Sequence, residues 1–68
     1  MMASVNDAED YYTLLGVRAD GVASVIEVLM APMPAVRHKA DALLAEHASC
    51  VHVEVWKGAT LIDQFARA

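Results

Sequence analysis

The sequence predicts an α+β fold of ββαββ order: a four-stranded, mainly antiparallel sheet with one helix packed on one face. Three observations carry this. Asp20-Gly21 separates two runs rich in strand formers. The stretch from Ala35 to Ala48 has apolar residues at helical spacing. Val51, Val53 and Val55 then alternate with His52, Glu54 and Trp56 ahead of Lys57-Gly58.

The first hairpin rests on β-propensity and turn chemistry. Tyr11, Tyr12, Thr13 and Val17 favour strands, as do Val22, Val25, Ile26 and Val28. Arg18-Ala19-Asp20-Gly21 lies between them. Asp-Gly between apolar runs is a strong hairpin signal because both residues tolerate positive φ. Pro32 and Pro34 end the second strand, and Pro34 suits a first helical turn, where its missing N–H costs nothing.

From Ala35 to Ala48 nearly every residue is a good helix former. Val36, Ala40, Leu43, Leu44 and His47 share one face, while Arg37, Lys39, Asp41 and Glu46 fall largely outside it. In the last segment, the period of two around Val53 marks a strand, Lys57-Gly58 marks a turn, and Thr60 to Ala66 returns as the fourth strand. A two-residue turn at Lys57-Gly58 puts Ile62 on the face of Val53. A three-residue loop puts Leu61 and Phe65 there, and their larger apolar area favours that register.

One helix covers only one face of such a sheet. The other face carries Trp56 and one of the two alternating sets of the first strand. If Tyr11, Thr13, Leu15 and Val17 meet the helix, Tyr12 and Leu14 look outward. Tyr12, Leu14 and Trp56 are then the candidate interface residues, and a two-fold homodimer through the sheet is the plainest way to cover them. An unidentified protein partner is the other expected occupant.

With 68 residues the chain forms one domain at most, and its core is thin. Residues 1–9 read as a flexible arm and 10–68 as the single domain. Hydrophobic residues make up 57%, which calls for either a rich core or covered apolar surface. Five Lys and Arg against nine Asp and Glu give a net charge of −4. That balance, with no basic run, argues against nucleic acid and anionic membranes as partners. The N-terminal residues lack the basic and apolar regions of a secretory signal. The longest apolar run, Val28 to Val36, is broken by Pro32 and Pro34 and is far short of a membrane span. A soluble, cytoplasmic protein is the expectation.

Cys50 is the single cysteine, so no internal disulfide forms. His47, Cys50 and His52 are the candidate metal set, since thiolate and imidazole suit zinc or copper. Their spacing matches no closed structural site, and packing roles at a helix end and in the core are the alternative. Cys50 with His52 as a nucleophile pair lacks an orienting group and an oxyanion site. Glu54 and Asp63 could face each other across the last hairpin. The expectation is therefore a protein without catalytic activity or cofactor. It works as a homo-oligomeric structural, regulatory or interaction module, with metal or redox sensing by Cys50, His47 and His52 as the alternative.

Two resemblances bear on this. Asp10-Tyr11-Tyr12-Thr13-Leu14-Leu15-Gly16-Val17 resembles the opening of a J-domain, with Ile26 at the expected offset. The chain lacks the His-Pro-Asp tripeptide of that family, and there is no Lys or Arg between Val22 and Met30, so the co-chaperone function does not carry over. The second is the string from Ala40 to Ile62, with Val53-Glu54-Val55-Trp56, Gly58 and upstream Leu43, Leu44 and His47. It resembles a set of small bacterial proteins without an assigned activity, in which a hairpin leads to a helix, a strand and a final strand. That resemblance implies the same fold and no particular function.

Overall fold

A computed structural model describes residues 10–67. The arm expected over residues 1–9 lies outside the described residues. The elements run β1 (Asp10–Arg18), β2 (Ala23–Ala31), α1 (Met33–Glu46), β3 (Cys50–Lys57) and β4 (Thr60–Ala66). All strand pairs are antiparallel, and the spatial order is β2-β1-β3-β4. The ββαββ fold expected from the sequence is the fold observed. Among the described residues, no helix is long and apolar enough to cross a membrane.

The first hairpin closes through the residues the sequence marks. Gly21 has φ of 86°, and Asp20 accepts the Val22 N–H at 3.1 Å while its carboxylate pairs with Arg18. The second turn is tighter than expected. Lys57 pairs with Thr60, so the two loop residues are Gly58 and Ala59, with Gly58 at φ 61°. Positive φ at the first loop position is what the primed hairpin turns require.

Helix α1 starts from Pro32, whose carbonyl accepts the N–H groups of Ala35 and Val36. Pro34 lies in the first turn and has no N–H to leave unpaired. Val36, Ala40, Leu43 and Leu44 are buried on the sheet. Lys39 reaches Glu27 on β2 at 3.2 Å, and the Arg37 guanidinium lies over the Phe65 ring at 5.6 Å. These two contacts tie the helix flanks to the two edge strands.

The core is the layer between helix and sheet: Leu14, Ala31, Val36, Ala40, Leu43, Leu44, Cys50, Val53 and Val55, with Tyr12, Val25, Leu29, Met33 and Phe65 packed around it. The face of β1 that meets the helix is therefore the reverse of the expected one. Leu14 is 0% exposed and Tyr12 packs on the core, whereas Tyr11 stands outward at 64% exposed. Apolar residues occupy both faces of β1, so alternation alone cannot choose between them. Gly16 and Cys50 show why this choice fits. Gly16 shares the face of Leu14, and a Cβ there would lie 3.0 Å from Cys50 Sγ and 3.2 Å from Val25 Cβ. A larger residue there would force those neighbours to shift.

Three irregularities shape the sheet. Ser24 in β2, Val51 in β3 and Ile62 in β4 are each an extra residue against the partner strand. The bulge at Ile62 divides the expected pair. Phe65 sits opposite Val53 on the helix side, as the larger-area register predicts, while Leu61 sits opposite Trp56 on the other face.

Candidate functional site: the open face of the sheet

Side chains alternate across a strand, so the register sets the composition of the uncovered face. Its rows can be read across the strands in the order β2, β1, β3, β4. Val28, Thr13, Trp56 and Leu61 form one row. Ile26, Leu15, Glu54 and Gln64 form the next, and Val17, His52 and Ala66 the third. Met30 and Tyr11 extend the β2–β1 end. Ile26 is 66% exposed, Val28 68% and Met30 55%. With Tyr11 they make a contiguous apolar patch along β2 and β1. Isolated exposed apolar side chains are ordinary, but a contiguous patch marks an interaction surface.

The β3 strand brings the polar groups. His52, Glu54 and Trp56 are two residues apart, so one face carries all three. Trp56 Nε1–H donates to one Glu54 oxygen at 3.0 Å, and the other Glu54 oxygen lies 3.2 Å from His52 Nε2. His52 and Glu54 side chains are only 22% and 24% exposed. The Trp56 hydrogen bond first, and then the His52 contact, hold the Glu54 carboxyl below the usual carboxylate range. Both oxygens are thus engaged, and the row forms a fixed, satisfied network in an otherwise uncharged surface.

Other charges of the described residues lie elsewhere. Asp10 pairs with Lys57 and Arg18 with Asp20 at the sheet ends. Glu27 faces the helix and Lys39. Arg67 turns to the end of α1, where its guanidinium donates to the carbonyls of Leu44 at 2.6 Å, His47 at 3.1 Å and Cys50 at 2.8 Å. The Leu44 and His47 carbonyls lie at the negative end of the helix dipole, where a cation both satisfies and neutralises them, and the Cys50 carbonyl begins β3 beside them. His47, at the helix C-cap, donates its backbone N–H to the Leu43 carbonyl.

Of the candidate interface residues, Trp56 stands on the open face. Tyr12 and Leu14 do not, because the helix covers their side. The candidate metal set is not brought together. The bulge at Val51 turns Cys50 into the core, beside Ser24 Oγ at 3.6 Å, while His52 points to the opposite face and bonds Glu54. The same bulge separates Cys50 from His52 as a nucleophile pair. Among the described residues there is no group of three His, Cys, Asp or Glu side chains placed to hold a metal ion. Glu54 and Asp63 also part company, since Asp63 pairs with Val55 on the helix side and Glu54 pairs with Gln64 on the open side.

The His52–Glu54–Trp56 row was partly visible in sequence, because residues two apart in a strand share a face. Its hydrogen bonds were not, and neither was the role of Arg67, which depends on where β4 ends in space. No family model, curated protein or solved structure matches this chain.

Proposed function

We propose that the protein acts by association, as a homodimer formed through the open face of its sheet, in the manner of a structural or regulatory module of the cytoplasm. The observation that carries this is the contiguous exposure of Tyr11, Ile26, Val28 and Met30 on one side of the sheet, continuous with Leu15, Trp56 and Leu61. Burying apolar surface is the main driving force for such association.

A second copy suits this face by area and by charge. Four strands about 4.8 Å apart, with about 3.3 Å per residue, give a footprint of roughly 500 Å² and, with side-chain relief, roughly 600–800 Å² of accessible surface. Two such faces would bury on the order of 1,200–1,600 Å², within the range of stable interfaces. Of the charged and titratable side chains of the described residues, the open face holds one carboxylate, Glu54, beside one imidazole, His52. Two sheets stacked about 10 Å apart with strands nearly aligned form an ordinary sandwich.

Light scattering behind size exclusion tests this, run from micromolar to millimolar protein at several pH values. The dimer mass is expected, and Val28→Lys should reduce it to the monomer without changing the far-UV circular dichroism. A strict monomer at every concentration and pH sinks the proposal.

A further inference from the structure

The open face has one feature that an apolar contact surface does not need. Glu54 occupies the middle row of the face, on one of the two inner strands. A two-fold axis passing near the centre of the face brings Glu54 of both copies close together. Two ionised carboxylates in a surface being dried are costly, since an unpaired buried charge is among the largest penalties a protein can carry. Each copy holds the remedy beside it. His52 Nε2 is 3.2 Å from Glu54, and a proton on that imidazole turns a pair of charge −1 into a neutral one.

We infer that the open-face dimer is gated by protonation of His52: it closes when His52 is an imidazolium paired with Glu54 and loosens when His52 is neutral. The inference rests on the association reading above and adds its regulation. The groups around the pair leave the assignment to His52. From β1 the neighbours are Thr13, Leu15 and Val17, and from β4 they are Leu61, Gln64 and Ala66. On β3 itself the neighbour is Trp56, which donates to Glu54 in either state. Tyr11 lies at the far end of the face, on β1 opposite Met30. Arg18 and Lys57 lie at the strand ends, each with its own aspartate, and Arg67 is committed to the helix carbonyls. Histidine is the side chain whose ordinary titration falls between about pH 5 and pH 8.

The sign follows from linkage. Covering the face favours the protonated pair, so His52 binds its proton more tightly in the dimer than in the monomer. Dimer formation then takes up protons. Affinity is therefore highest at low pH and falls as pH rises. The dissociation constant should change about tenfold for each pH unit by which covering raises the affinity of one His52 for its proton, and twice that on a logarithmic scale for the two copies.

The test is the dissociation constant from sedimentation equilibrium between about pH 5.5 and about pH 8, with a chelator present so that no adventitious metal bridges the carboxylates. In the unaltered chain, weakening by at least about tenfold is expected as pH rises. His52→Gln keeps a neutral hydrogen-bonding side chain and should give a weak dimer that ignores pH. Glu54→Gln removes the buried carboxylate and should give a dimer that is tight at high pH and does not tighten as pH falls, because an imidazolium at His52 then has no charged partner. The loss of tightening toward low pH in both variants separates the gate from general self-association near the isoelectric point, which would persist in both. His38 and His47 are unchanged in both, so retained pH dependence in His52→Gln overturns the inference. A dimer of equal strength at every pH overturns the gate and leaves the association intact. If both the unaltered chain and Glu54→Gln stay monomeric at millimolar concentration throughout, association and gate fail together. Circular dichroism of each variant confirms that the sheet is retained.

Discussion

The two faces of this sheet have similar composition and opposite fates. The helix side holds Leu14, Val53 and Val55, each fully buried, under Val36, Ala40, Leu43 and Leu44. The open side holds Leu15, Ile26, Val28 and Met30, with a polar strip of His52, Glu54 and Trp56 along β3. Neither face is a polar solvated surface of the kind that antiparallel sheets usually turn to water. The difference teaches that an amphipathic alternation is not what orients this fold. Packing detail does so: the space above Gly16 for Cys50, and the helix tethered at its flanks and its end. The second apolar face is left over for a different task.

The sharpest way to break the comparison is to truncate matched side chains on the two sides. Leu14→Ala removes a fully buried leucine between Val55 and the helix and should cost about 2–5 kcal/mol, the range for large-to-small changes in a packed core. In so small a domain that is enough to unfold much of the population. Val28→Ser, on the open side and 68% exposed, should leave monomer stability within about 0.5 kcal/mol while weakening self-association. Urea unfolding at low micromolar concentration measures both. Equal losses for the two substitutions would mean that the open face is already covered within one chain.

The next test concerns why the helix chose its side. Gly16→Ala places a methyl 3.0 Å from Cys50 Sγ and 3.2 Å from Val25 Cβ. Overpacking of this kind costs about 1–3 kcal/mol, offset by up to about 1 kcal/mol from the stiffer unfolded chain. Combining it with Cys50→Ala should recover part of the loss, so that the double variant is more stable than the sum of the single changes predicts. Strict additivity would show that Gly16 and Cys50 do not share a crowded spot.

How much of this was legible from the sequence differs by level. The periods of two and 3.6, with Asp20-Gly21 and Pro34 as punctuation, give all five elements and their order. They cannot orient β1, because Tyr12 and Leu14 on one side are matched by Tyr11 and Leu15 on the other. A shift of one residue exchanges the faces without any loss of apolar area. The placement of Leu61 and Phe65 fails as a joint question, since the bulge at Ile62 lets each take a different side. Such an irregularity has no signature in hydrophobic pattern. The same holds for Val51, which turns Cys50 inward and dissolves the apparent cluster with His47 and His52. Long-range capping is the least visible of all: Arg67 meets Leu44 and His47 across twenty or more positions of chain only after β3 and β4 have folded back.

Arg67 gives a third, smaller effect. Its contacts fasten the end of the covering helix, so Arg67→Ala should cost about 1–2 kcal/mol through lost charge-assisted hydrogen bonds and the unneutralised helix terminus. Amide exchange locates the loss. Protection should drop first in the last turn of α1 and at Cys50, with the β1–β2 hairpin spared. A uniform loss across the sheet would mean that Arg67 supports the whole fold rather than the helix end.

The smallest effect belongs to the open face itself, where Trp56 is the protein's one tryptophan and hence a clean reporter. Its indole N–H donates to Glu54, whose carboxyl is held below the ordinary range by that hydrogen bond and then by His52. A carboxylate held down in this way stabilises the folded state above its unfolded titration, about 4.3, and the contribution is lost as pH falls through the lower, folded value. At a partly exposed site this is worth under about 1 kcal/mol. Trp56 emission should therefore shift on acidification with a midpoint below about 4.3, and Glu54→Gln should abolish the step. A midpoint at or above that value would mean that neither Trp56 nor His52 holds the carboxylate. The open face would then be apolar surface with an incidental charge, and the distinction between its two halves, exposed β2 and networked β3, would disappear.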